Sequence, residues 1–330
     1  MKTATAVENE TTTGKYGFHG RLKARFPSQV IADTTELCNL ACIHCAHPAF
    51  KKSSYYSGRS LRPELNAKMV DEVRDHGKGA TQYIRYTSEG EPLLDGNIYE
   101  MLAYAARNSG VTVTLTTNGT LMNEKRTEQL LATGVHVIDI SIDAFTPETY
   151  RKIRVNGDLE QTRANVLRLL QQARQPAIET KVVVSYIEQP ENVQETRAFE
   201  QFWKDQGADY VVVRRLHSNA GNNGEIADRM RKENAAESRY PCVYPWERVV
   251  LNPRGFLSFC PADWTRGSTF IDYRTTTIHE TWQGEFYRNL REAHLANQFN
   301  NHSFCGQCPD WKATRWPGEG RSYANMIEEF

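Results

Sequence analysis

The sequence predicts an α/β fold on a mainly parallel sheet, open or closed only part-way into a barrel, followed by a smaller cysteine-rich unit. Three observations carry that expectation. Short β-branched runs alternate with segments whose apolar residues recur at i, i+3, i+4 and i+7, the pattern of βαβ units with right-handed crossovers. Six such strands with five clear helices are too few for a closed eight-stranded barrel. The alternation then stops at residues 218–223 (SNAGNN), a Gly/Asn-rich linker signal.

The strands are expected at 29–34 (QVIADT), 82–87 (QYIRYT), 111–116 (VTVTLT), 136–142 (HVIDISI), 179–186 (ETKVVVSY) and 210–216 (YVVVRRL). Each is rich in β-branched or aromatic residues, which suit a pleated surface. Helical periodicity fills the intervals at 65–76, 98–108, 123–133, 161–172 and 196–206. Ligands of such a sheet sit at the carboxyl ends of its strands. Past the linker come a polar, charged stretch to Arg239 and strand-like pieces at 248–251 and 255–259 around the turn Asn252-Pro253-Arg254-Gly255. A helical segment at 285–298 follows. This region is rich in Trp, Tyr and Cys and short of aliphatic core, so a metal site is the natural candidate to hold it together. The expected division is a polar extension at 1–27, a core domain at 28–217, and a linker plus cysteine-rich domain at 218–330.

Composition excludes several classes. Forty Lys+Arg balance forty Asp+Glu, which argues against a protein that coats nucleic acid or a membrane surface. Any anion recognition must then be local. Hydrophobic residues make up 39%, enough for an ordinary core. No apolar run is long enough for a transmembrane helix, and the opening residues MKTATAVENETTTGKYG lack the apolar stretch of a secretory signal. The chain reads as cytoplasmic. Its 7 cysteines are an odd number for a disulfide framework, and metal or redox chemistry is the better expectation.

Cys38, Cys42 and Cys45 form C-x3-C-x2-C directly after the first strand. The spacing could place three thiols on one helix face, but they would pack poorly there and Pro48 interrupts such a helix. Structural zinc asks for four closed ligands. Three thiolates on a loop suit an iron–sulfur cluster with one iron left open. This pattern resembles the signature of the radical SAM superfamily, and further motifs fall in that family's order. Ser88-Glu89-Gly90-Glu91-Pro92 follows the second strand and is similar to the family's Gly-Gly-Glu-Pro turn, with Glu89 in place of the first glycine. Thr116-Thr117-Asn118-Gly119 follows the third strand, and Ser141-Ile142-Asp143 ends the fourth, with Arg154 downstream. The resemblance implies a [4Fe–4S] cluster on the three cysteines. It further implies S-adenosylmethionine (SAM) held by Ser88, Gly90, Glu91, Thr117, Asn118, Ser141, Asp143 and Arg154, and a 5′-deoxyadenosyl radical that abstracts hydrogen from substrate. A flavodoxin- or ferredoxin-type reductant is implied with it.

Cys242, Cys260, Cys305 and Cys308 follow C-x17-C-x44-C-x2-C. Four ligands satisfy a closed four-iron cluster or a tetrahedral zinc equally, and spacing alone slightly favours zinc. Pro241-Cys242, Asn252-Pro253-Arg254-Gly255, Cys260-Pro261-Ala262-Asp263 and Cys305-Gly306-Gln307-Cys308 resemble the truncated SPASM, or twitch, extension of radical SAM enzymes. That resemblance reverses the preference and implies one auxiliary [4Fe–4S] cluster. The fold it implies is a partial (β/α)6 TIM barrel with a small C-terminal twitch/SPASM domain.

Three plus four uses every cysteine. Twitch-type epimerases need a spare thiol to return a hydrogen atom, so the expected outcome is oxidation of an alcohol to a ketone, with the auxiliary cluster as electron acceptor. The expected substrate is a small polar molecule, a sugar, aminocyclitol or nucleoside of an antibiotic pathway. Decarboxylation of a sugar acid, epimerisation and ribosomal-peptide maturation are the alternatives; a zinc-ribbon interaction protein leaves the first three cysteines unexplained. Substrate contacts are expected from Arg85, Tyr86, Tyr186, Arg214, Arg215 and His217 at strand ends, with adjacent arginines pointing one in and one out. His44 and His47 flank the first ligands and could tune a cluster by hydrogen bonding.

Overall fold

A computed structural model describes residues 25–87, 89–235, 239–299 and 303–312. Nearly all of the expected extension at 1–27, and Ser88 among the expected SAM contacts, lie outside the described residues. The strands are β1 (Gln29–Asp33), β2 (Tyr83–Thr87), β3 (Thr112–Thr117), β4 (Val137–Ser141), β5 (Lys181–Glu188), β6 (Tyr210–Arg215), β7 (Arg248–Leu251), β8 (Phe256–Ser258) and β9 (Thr269–Asp272). They form one sheet in the order β6-β5-β4-β3-β2-β1-β7-β8-β9. Strands β6 through β7 are parallel to their neighbours, and β8 and β9 are antiparallel additions. The parallel α/β class is as the sequence predicts.

The helices are α1 (His47–Phe50), α2 (Pro63–His76), α3 (Ile98–Asn108), α4 (Glu124–Leu131), α5 (Pro147–Ile153), α6 (Leu159–Ala173), α7 (Thr196–Asp205), α8 (Gly224–Asn234), α9 (Tyr244–Glu247), α10 (Ile278–Gln283), α11 (Glu285–Ala296) and α12 (Ser303–Gln307). Their starts follow local chemistry. Pro63 opens α2 at a position whose N–H has no partner to lose. Asn123 and Asp158 cap α4 and α6 by accepting from the amides of Arg126 and Gln161, and Thr277 with Glu280 forms a capping box on α10. Helix α8 occupies the stretch read as merely polar and charged. Ala227 is its one buried residue, so little apolar periodicity announces it.

Strand alternation divides the sheet into two faces. Val30, Ala32, Ile84, Val113, Leu115, Ile138, Ile140, Val182 and Val184 are fully buried in the core shared with the helices. The intervening residues, among them Ile31, Asp33, Arg85, Thr116, Ser141, Ser185 and Arg214, line a single cavity on the other face.

The region past 217 joins this sheet rather than standing beside it. β7 lies parallel to β1, from Gln29↔Arg248 to Ala32↔Leu251. β1 is buried at every position, and without β7 its edge would bury unpaired amides and carbonyls. The turn after β7 is as the sequence predicts. Gly255 takes φ +82°, a conformation open to glycine, and its amide donates to Asn252 O at 2.9 Å.

Candidate functional site

The loop after β1 carries Cys38, Cys42 and Cys45, and its path is fixed residue by residue. Glu91 N donates to Leu37 O (2.6 Å), Ala41 N to Val155 O (3.0 Å) and Ile43 N to Ile153 O (3.0 Å). Asn118 Nδ2 donates to Asn39 Oδ1 (2.9 Å), and Asn39 Nδ2 to Thr120 Oγ1 (2.8 Å). The turn after β2 presses directly on it: a Cβ added to Gly90 would lie 1.9 Å from Leu37 O, so only glycine fits there. Glu91 in turn accepts from Thr117 Oγ1 (2.6 Å), Asn118 N (2.7 Å) and Leu93 N (3.1 Å). Three motifs distant in sequence are thus one hydrogen-bonded unit.

At the far side of the loop, Arg154 is buried. It donates to Asp143 Oδ2 at 2.5 Å and reaches Cys42 Sγ at 3.7 Å. Asp143 takes φ +62° and also accepts from Ile187 N at 2.7 Å. Gly90, Glu91, Thr117, Asn118, Ser141 and Arg154 line the cavity, whereas Asp143 is buried behind Arg154 and orients it.

All seven cysteines border that same cavity, of about 710 Å³, and none is in a disulfide. Burial pushes the Cys38 thiol up to about 11 and those of Cys45 and Cys308 up to about 12, and raises Cys42, Cys260 and Cys305 as well. A buried thiol of raised pKa is held as thiolate by a metal. Four of them already receive a backbone amide from two residues on: Cys38 from Leu40, Cys45 from His47, Cys260 from Ala262 and Cys308 from Asp310. Such N–H···S bonds stabilise negative sulfur. Among the described residues, no three His, Cys, Asp or Glu side chains converge on a single ion. An iron–sulfur cluster spreads its thiolates over several irons and would not ask for that convergence. The thiol sets therefore fit iron–sulfur clusters in their chemistry.

The second set gathers from separate elements. Cys242 precedes α9, Cys260 follows β8, and Cys305 and Cys308 sit at the end of the described chain, on and just after α12. Phe259, Trp282, Tyr287 and Leu290 form a small core against Cys305. Arg239 donates to Cys305 O (2.7 Å) and Gly306 O (3.1 Å).

The expected substrate contacts divide by strand face. Arg214 points inward and donates to Asp139 Oδ2 at 2.6 Å, and Arg85 Nη2 lies 3.6 Å from the same oxygen. Ser185 Oγ also donates to Asp139. Arg215 and His217 border the cavity. Tyr86 and Tyr186 do not: they face the helices, where Tyr86 Oη donates to Asn66 Oδ1 and Tyr186 Oη to Asn192 O, both at 2.5 Å. On β2 successive side chains point to opposite faces and Arg85 takes the inner place, whereas at the end of β6 the adjacent Arg214 and Arg215 both border the cavity, so the expected one-in, one-out division does not hold there. His47 Nε2 donates to Glu36 O (2.9 Å), and His44 Nε2 lies 3.6 Å from Asp143 Oδ2. Burial lowers the His44 pKa to about 4.

Sequence reasoning missed an acidic group at the ends of β1 and β2. Asp33 lines the cavity with its pKa raised well above the carboxylate range by burial, Glu89 adding to the shift. Glu89 is pushed up to about 7 by burial, against the pull of Arg266. Arg266 Nη1 and Nη2 donate to the Glu89 carboxylate at 2.6 and 3.0 Å, and Nη2 to Glu36 Oε1 at 2.9 Å. The one available signal was the departure from glycine at residue 89.

Residues 33–199 match the family described as the Radical SAM superfamily, and residues 242–309 match SPASM, an iron–sulfur cluster-binding domain. Over 141 residues the chain is 34% identical to an AdoMet-dependent heme synthase of Methanosarcina barkeri, covering 42% of this chain and 38% of that protein. The chain spans under half the length of the curated relatives it matches. The structure of BtrN in complex with AdoMet and 2-DOIA superposes with a TM-score of 0.57 at 15% identity, covering 85% of this chain and 92% of that one. Streptococcus suis SuiB bound to S-adenosylmethionine gives 0.64 at 13% identity, covering 97% and 78%. At such identity the likeness is one of fold.

Proposed function

The chain belongs to the radical SAM superfamily, and from that premise we propose that it oxidises an alcohol carbon of a small polar molecule. A sugar, aminocyclitol or nucleoside of natural-product biosynthesis fits that description. The family and the SPASM domain bring SAM, a [4Fe–4S] cluster and auxiliary iron–sulfur binding. We assign Cys38, Cys42 and Cys45 to the first cluster, and Cys242, Cys260, Cys305 and Cys308 to one auxiliary [4Fe–4S] cluster. Gly90, Thr117, Asn118, Ser141 and Arg154 are assigned to SAM, with Glu91 and Asp143 holding them in place.

When bound, SAM and its cluster supply a 5′-deoxyadenosyl radical that takes one hydrogen atom, and the auxiliary cluster supplies a one-electron acceptor. The observation that carries the reading is that all seven cysteines line one cavity and divide as three and four. No thiol remains to return a hydrogen atom. Forming C=O from an alcohol would release one C–H hydrogen atom, the hydroxyl proton and one electron, so beside the radical source it would need a base and a one-electron acceptor. Asp33 is the base we favour. It lines the cavity, and burial raises its pKa, which makes its carboxylate a stronger base than an exposed one.

A second reading, decarboxylation of a sugar acid, is favoured by one observation. Arg85 and Arg214 share the single carboxylate of Asp139 at the cavity wall, a grouping suited to a substrate carboxylate. The electron supply we propose is a flavodoxin or ferredoxin in the cytoplasm, where thiols stay reduced. No helix among the described residues is long and apolar enough to cross a membrane.

The test is anaerobic reconstitution with SAM, reductant and candidate sugars or cyclitols. Oxidation predicts one 5′-deoxyadenosine per product and no solvent deuterium at the product carbon. Deuterium incorporation from heavy water, or catalytic reuse of SAM, would overturn it.

A further inference from the structure

The turn after β2 and the loop of the first three cysteines meet at Leu37, where Gly90 and Glu91 N pack on the Leu37 carbonyl. One guanidinium brackets this junction. Arg266 binds Glu89, the neighbour of Gly90, and Glu36, the neighbour of Leu37. Both acids are buried. Arg254 adds a contact to Glu36 Oε1 at 3.1 Å, but Arg266 is the cation that joins the two sides.

Arg266 does not belong to the core domain. It lies in the loop between β8 and β9 that carries Cys260, and the loop is shaped to deliver it. Asp263 accepts from the amides of Thr265 (3.1 Å), Gly267 (2.9 Å) and Ser268 (2.7 Å) and from Ser268 Oγ (2.7 Å). That holds Arg266 at φ +62°, a backbone region that a non-glycine residue adopts only when its surroundings dictate it. Trp264 of the same loop packs edge-on against Phe50 and His47, just past Cys45, at 5.4 and 6.2 Å between ring centroids.

We propose that Arg266 is a positioning residue for SAM: it fixes the Glu89-Gly90-Glu91 turn against the cysteine loop, so that SAM binding in the core domain depends on the auxiliary-cluster loop. This rests on the reading of that turn as part of the SAM site. Without Arg266, the Glu89 and Glu36 carboxylates are left together in a buried place, with Asp33 nearby. Uncompensated buried charge is relieved by movement, and the movable element is the turn.

The experiment compares wild type, R266K, R266Q, E89Q and the double variant E89G/R266Q, all reconstituted anaerobically. SAM affinity is measured by equilibrium dialysis and the reduced, SAM-bound cluster by EPR. R266Q is expected to weaken SAM binding at least about tenfold and to alter the SAM-bound EPR signal, with iron still near roughly eight per chain. R266K should recover part of the affinity. E89G should restore R266Q, because it removes the carboxylate that needs the cation. Unchanged affinity and EPR in R266Q, or a double variant as weak as R266Q alone, would overturn the proposal. If R266Q does not fold, R266K carries the test: it keeps the charge but loses the fork that reaches both carboxylates, and SAM affinity and EPR signal equal to wild type would overturn the proposal. Failure of the underlying reading has a separate signature, a G90A protein that binds SAM as wild type does. In the apo protein, a thermal double-mutant cycle of E89Q and R266Q should show coupling; additivity counts against the clasp.

Discussion

The two cysteine sets are held in opposite ways. Cys38, Cys42 and Cys45 sit on one loop tied to the turns after β2 and β3 and to the end of α5 by bonds that need no metal. The other four come from three separate stretches and meet beside a core of a few aromatic residues. The first site is a property of the fold. The second rests on a small aromatic core, and under the assignment proposed above its bound cluster would supply much of what holds it, as in small metal domains.

The largest expected effect follows from the first half of that contrast. C42A should abolish 5′-deoxyadenosine formation, a loss of more than about a thousandfold, while the melting temperature of the apo protein changes little, since the loop's bonds remain. A large drop in apo stability would break the comparison. C260A should lower product formation by about a hundredfold or more yet leave 5′-deoxyadenosine formation measurable, and proteolysis should cut within residues 242–309 while sparing the core. Equal protection of both regions would erase the distinction.

G90A sharpens the first half further. The added Cβ meets a backbone carbonyl at 1.9 Å, and overpacking of about 1–3 kcal/mol should appear as a loss of SAM affinity of roughly ten- to a hundredfold, read by dialysis. A smaller effect tests the one acidic place in this rigid region. Glu89 titrates near 7 when folded, above its ordinary value of 4.5. Between those values the folded state binds more protons than the unfolded. Its contribution is therefore fully present below 4.5 and is lost as pH rises through 7, by up to about 3 kcal/mol. E89Q should flatten stability against pH in that window, measured by urea unfolding. The smallest effect belongs to Tyr86. Y86F removes one buried hydrogen bond to Asn66 and should cost about 1 kcal/mol of stability with turnover unchanged.

Sequence periodicity located the parallel sheet because its strands bury one whole face, and VTVTLT announces its two faces letter by letter. The cysteine sets were legible for a simpler reason, that thiols at fixed spacing have few other uses. Legibility failed where side chains answer to distant partners. Tyr86 and Tyr186 have the right chemistry at the right strands, but their direction is decided by which neighbour takes the inner face. Glu89 read as a departure from a pattern, and its partner Arg266 lies 177 positions away, beyond any local signal. Helix α8 buries too little for periodicity to show.

The parallel pairing of β7 with β1 has a consequence for how the molecule is made. Ser28 Oγ donates to Glu247 O across 219 positions of chain, so β1 is flanked on one side by a strand made far later in the chain. Until that partner emerges, a buried strand waits with one bare edge, the feature that recruits strands from other chains. Closure at such separation is slow. The edge of β1 is thus covered only after residue 251 has been made, and until then the nascent strand carries the kind of edge that self-association exploits.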